Sequence, residues 1–143
     1  MLKMKPRYYI GIDAGTHTGI AVWDTKEKKF IKLETLKLWE ALVYVLNFDF
    51  TEHGSGVKVI VEDARKRRWY GKNSNAKMQG AGSIKRDCTI WEECLTDNDI
   101  PFEMVAPIKG CTKWSSEQFM EFTKWEGRTS EHSRDAGMLV YGR

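Results

Sequence analysis

Two apolar runs that each end in an acid constrain this chain more than any other feature. The first, "YYIGIDAG" from Tyr8, places Tyr9, Gly11 and Asp13 on one face of a strand and Ile10 and Ile12 on the other. The second, "VKVIVED" over Val57 to Asp63, is β-branched throughout and finishes in Glu62 and Asp63. A carboxylate at the end of an interior strand needs a partner. Between the two runs lie strand-like segments at Gly19 to Trp23, after the turn "GTHT", and at Phe30 to Leu36, after "DTKEKK". Apolar residues at helical spacing follow from Leu38 to about Phe48. A strand that follows such a crossover can lie parallel to the first and beside it. Asp13 and Glu62 then meet at one sheet edge.

The remainder predicts a long helix from Asn75 or Ala76 to Leu95, a short fifth strand in "FEMVAP", and a loop in "IKGCTKW". The glycines Gly80 and Gly82 weaken the long helix unless its backbone packs closely there. A helix opened by a capping serine follows in "SSEQFMEFTKW", and a last helix in "SEHSRDAGMLVYG". The expected class is α/β, a five-stranded mixed sheet flanked by helices. With 143 residues, no repeat and no linker, residues 1–143 read as one domain. Three cysteines, Cys88, Cys94 and Cys111, are odd in number and lack C-x-x-C spacing, which argues against a disulfide framework or a zinc site. Together with an N-terminus that has no signal-like apolar core and no apolar run of roughly 18 residues, this predicts a cytoplasmic chain with no membrane span.

The chemistry resides in the acids. On the last helix His132 and Asp135 are three residues apart and share a face, while Ala136, Leu139 and Val140 can pack that helix onto the sheet. Asp13, Glu62, His132 and Asp135 together form a hard, mainly oxygen-donor set suited to Mg²⁺ or Mn²⁺. Two such ions about 4 Å apart can activate a water and stabilise a leaving oxygen in phosphodiester hydrolysis. The net charge is only +3, but "RKRR" concentrates Arg65, Lys66, Arg67 and Arg68 in one loop. Beside a metal site such a loop is a phosphate-binding track, which Lys72 extends. Trp69 and Tyr70 follow directly and can stack on unpaired bases or cover the core.

These segments resemble the RuvC-like branch of the ribonuclease H-like nucleases, the Holliday junction resolvases. The resemblance covers nearly the whole chain: "IGIDAGTHTGIAVWD" is similar to the family's first hairpin, "VIVEDAR" to its fourth strand, "QGAGSIKRDCTIWEECL" to its glycine-bearing helix and "EHSRDAGMLV" to its acidic last helix. It implies a ribonuclease H-like fold and a homodimer that cuts branched DNA, four-way junctions foremost and forks and flaps as well, with two ions per site. It also implies metal binding by Asp13, Glu62, His132 and Asp135, with Lys113, or else Lys109, neutralising the scissile phosphate. Strand alternation allows only one of Glu62 and Asp63 to serve; the family places the ligand at Glu62, and His132 is likewise preferred over its neighbour Glu131. Where the family carries an aromatic wedge after the strand glutamate, this chain has Arg65. The chain's length resembles compact phage or prophage members, which places it in a bacterial or phage-infected cytoplasm. Three rivals remain: a phosphotransferase of the sugar-kinase and actin type, suggested by "GIDAGTHTG"; a nuclease of the same fold acting on RNA; and a non-catalytic nucleic-acid-binding domain.

Overall fold

The computed structural model describes residues 5–49, 56–66, 74–107 and 114–143. The elements run β1 (Tyr8–Asp13), β2 (His17–Asp24), β3 (Lys29–Lys37), α1 (Leu38–Asp49), β4 (Val57–Glu62), α2 (Ser74–Asp97), β5 (Phe102–Val105), α3 (Ser116–Thr123) and α4 (Glu131–Val140). A single 3₁₀ turn, Ala64–Lys66, follows β4. The five strands form one mixed sheet in the order β3-β2-β1-β4-β5. The first three are an antiparallel meander, and β4 crosses over to pair in parallel with β1 and with β5.

Strand alternation divides the core between two layers. Ile10 and Ile12 of β1 and Val57, Val59 and Val61 of β4 point to the side covered by Ala41 and Val45 of α1 and Cys88, Trp91 and Leu95 of α2. Ala21, Trp23 and Ile60 point to the other side, where Phe119 of α3 and Ala136, Leu139 and Val140 of α4 pack. Both faces of β4 are covered, which explains its near-continuous apolar sequence. Asp13 falls on the α4 side because it is three positions from Ile10, and Glu62 does so because it is two from Ile60.

Two local expectations are revised. The "GTHT" segment is not all turn: the Thr18 hydroxyl donates to the Gly15 carbonyl at 2.7 Å, closing the reversal early, so β2 already starts at His17 and pairs with β3 from Lys37 onward. The predicted close packing at the α2 glycines is not seen at Gly82, where a Cβ would meet nothing within 4 Å among the described residues. Of the tryptophans named by sequence, Trp91 is fully buried in the core whereas Trp39 on α1 is 62% exposed. Among the described residues no helix is long and apolar enough to cross a membrane.

Candidate active site

The site is built at the carboxyl ends of β1 and β4. Their parallel register pairs Asp13 directly with Glu62, so the two acids occupy adjacent strands at the same level. Helix α4 lies across this edge, packed on β2 and β1. Two glycines admit it. A Cβ on Gly11 would stand 2.2 Å from the Ala136 carbonyl oxygen, and one on Gly19 would stand 1.9 Å from that of His132. The helix backbone therefore rests on strand backbone, closer than any side chain allows.

That approach brings the His132 imidazole to Asp13, with Nδ1 3.0 Å from Oδ2. The Asp13 side chain is only 17% exposed and His132 50%, so the carboxylate is sheltered under a ring that still faces solvent. A neutral ring that donates from Nδ1 to the carboxylate presents its lone pair at Nε2. Asp135 is half-buried one turn along the same helix face. Glu131 stands at the exposed start of α4.

The neighbouring acid has a different environment. Asp63 lies on the α2 side and is 2% exposed. Arg65 grips it with two hydrogen bonds of 2.8 Å and reaches Glu92 of α2 at 3.1 and 3.2 Å. Burial works to raise the Asp63 pKa, but the hydrogen bonds and charge of Arg65 outweigh it and hold the carboxyl below its usual range. The same bonds, Asp63 first and then Glu92, raise the Arg65 pKa. Its guanidinium thus ties the end of β4 to α2, and Lys66 donates to the Met104 carbonyl at 2.7 Å. Arg67, Arg68, Trp69, Tyr70, Lys72, Lys109 and Lys113 lie outside the described residues.

As a donor set, Asp13, Glu62, Asp135 and His132 fit a hard divalent cation: three carboxylates and one imidazole on one sheet edge. Asp13 and His132 are in direct contact; no group of three His, Cys, Asp or Glu side chains poised to hold a metal is found among the described residues. Sequence reasoning missed the supports of α4. The helix is capped by Ser130, whose hydroxyl accepts from the Ser133 amide while Ser133 reciprocates. Thr35 of β3 contacts the Ser130 hydroxyl, and Arg134 donates to the Trp114 carbonyl at 3.0 Å and to Thr129. The readable signal was the serine cap; its cross-sheet partner required the register.

Among solved structures, Thermus thermophilus RuvC in complex with a Holliday junction substrate superimposes with a TM-score of 0.58 at 16% identity, covering 92% of this chain and 88% of that one. A second T. thermophilus RuvC structure gives 0.55 at 16% identity, over 92% of this chain and 90% of that one. This chain has the RuvC fold. At such identity the likeness is one of architecture, a ribonuclease H-like α/β sheet with helices on both faces. No protein-family model matches the sequence, and no curated protein does. Within the RuvC fold of this chain, the acidic edge and the last helix are where Asp13 and His132 meet.

Proposed function

We propose that this protein is a metal-dependent endonuclease that hydrolyses phosphodiesters in branched DNA, four-way junctions foremost, with forks and flaps as further substrates. The observation that carries the reading is the Asp13–His132 contact, made across the chain at the edge where Glu62 is in register with Asp13. Its support is the RuvC fold around it, since one of the structures sharing that fold holds a Holliday junction. The enzyme works as a homodimer, so that two sites nick opposing strands, in the cytoplasm of a bacterium or of a phage-infected host.

Asp13, Glu62, Asp135 and His132 would hold the cations, Mg²⁺ or Mn²⁺, two per site. When bound, these ions supply activation of the attacking water and stabilisation of the departing oxygen. The chain's own groups bind and orient. Asp13, through the Oδ2 that meets Nδ1, also fixes the rotamer and tautomer of His132. Lys113 meets the scissile phosphate, Arg67, Arg68, Lys72 and Lys109 follow the flanking backbone, and Trp69 and Tyr70 stack on bases unpaired at the branch. Arg65 joins this track only at the cost of its bonds to Asp63 and Glu92. Water adds to phosphorus, the bond to the 3′ oxygen breaks, and a 5′-phosphate and a 3′-hydroxyl result.

The test is incubation with a labelled four-way junction, a matching linear duplex, a single strand and an RNA duplex, each with Mg²⁺ or EDTA, alongside Asp13→Asn. Paired nicks in the junction, lost with EDTA and in the variant, are expected. Binding of the junction with no cleavage under any metal overturns the nuclease reading in favour of a binding module, and cleavage of RNA alone changes the substrate.

A further inference from the structure

One row of residues crosses four strands at the level of the site. Thr35 of β3 pairs with Gly19 of β2, Gly19 with Asp13 of β1, and Asp13 with Glu62 of β4. The start of α4 lies along this row. Ser130 contacts the Thr35 hydroxyl, the His132 carbonyl rests over Gly19, and the His132 ring meets Asp13. Two residues of one helix start, Ser130 and His132, therefore reach three adjacent strands, which stand about 4.8 Å apart.

From this alignment we infer that Thr35 is a positioning residue: its hydroxyl sets where α4 begins, and thereby where the His132 imidazole stands over Asp13. The inference rests on the nuclease reading for its kinetic consequence but not for its structural one. Thr35 is two strands, about 10 Å, from Asp13, so it touches no reacting atom. Its reach is through Ser130. That hydroxyl also takes the Ser133 amide at 3.1 Å, and Ser133, only 1% exposed, returns a bond from its own hydroxyl to the Ser130 carbonyl at 2.9 Å. The three hydroxyls form a continuous chain of contacts from sheet to helix. Gly19 alone would allow the helix to approach and still slide along the strand; the Thr35 bond removes that freedom. At the other end of α4, Tyr141 packs edge-on to Trp23 at 5.1 Å, so the helix is pinned at both ends and His132 lies next to the polar pin.

The experiment compares wild type, Thr35→Val, which keeps the shape and deletes the hydroxyl, and Thr35→Ser, which keeps the hydroxyl. One readout is the imidazole nitrogen signal of His132 by NMR, assigned with His132→Gln and followed without DNA. The other is steady-state cleavage of the four-way junction in Mg²⁺. Expected is a shifted His132 Nδ1 signal in Thr35→Val, with kcat down about ten- to a hundredfold, KM unchanged and both restored by Thr35→Ser. A Thr35→Val protein that melts lower yet keeps the wild-type imidazole signal and kcat overturns the inference, because the hydroxyl then only stabilises. Should wild type cut no DNA, the nuclease reading fails by itself and the imidazole signal still decides the role of Thr35. If Thr35→Val does not fold, Thr35→Ala with the same two readouts replaces it.

Discussion

Asp13 and Asp63 show how two acids at strand ends diverge. Asp13 is met by an imidazole and keeps contact with a solvent-facing ring; Asp63 is locked by a guanidinium in the opposite layer. Alternation along β4 made the division between Glu62 and Asp63 legible, since adjacent residues face opposite sides. What the sequence could not reveal was that Arg65, read as the head of a basic track, has two carboxylate partners, because Glu92 comes from a helix whose orientation depends on packing. Asp13→Asn is expected to lower Mg²⁺-dependent junction cleavage more than about a hundredfold while gel-shift binding persists. A second prediction concerns Asp24, 3% exposed and bonded by Arg7 at 2.8 and 2.9 Å. The Arg7 hydrogen bonds outweigh burial and bring its pKa from 3.8 down to about 2. The folded value lies below the unfolded one, so this pair stabilises above about pH 4 and the contribution disappears as pH falls toward 2. The solvent-facing Arg7 keeps the increment below what the full shift implies. Melting curves between pH 2 and 6 should show this increment in wild type and not in Asp24→Asn.

At the scale of elements, the strands and their ends were readable because β-branched runs and turn residues punctuate them, and the parallel placement of β4 followed from a crossover of sufficient length. The extension of β2 was not, since His17 and Thr18 lie beyond the last β1 pair at Gly19 and join the strand through pairing with β3. Nor was the use of the glycines. Gly11 and Gly19 look like ordinary breaks in alternation, yet each is the point where a helix backbone meets the sheet, whereas a Cβ on Gly82, inside a helix, would meet nothing within 4 Å among the described residues. Substitution should separate them by sign. Gly19→Ala drives a methyl into the His132 carbonyl and is expected to cost about 1–3 kcal/mol and to displace the helix start, with cleavage reduced accordingly. Gly82→Ala should instead stabilise the folded chain by about 0.5–1 kcal/mol, as helix propensity dictates. Denaturant titrations of the two variants check both.

For the whole molecule, the two layers are anchored by different side chains. Trp91 fills the α1–α2 side and Phe119 the α3–α4 side, both with no exposed surface. Truncating Trp91 to alanine should cost about 3–5 kcal/mol, seen as a lowered denaturation midpoint, because the cavity it leaves is enclosed. Sedimentation of the full chain should give about twice its 16.6 kDa if the proposed homodimer forms. The partition into two layers was written in the alternating faces of β1 and β4, but the identity of the helices that cover each face was not, since periodicity reports that a helix is amphipathic without saying against which side it docks.

The Asp13–His132 pair joins residues 119 positions apart, from the first strand to the last helix. A contact of that span is among the last to close as a chain grows from the ribosome at about 5–20 residues per second. While the meander, the crossover and the long helix are being made, the acidic edge exists without its histidine. A product carrying the sheet but not α4 therefore has the acidic edge without this pair.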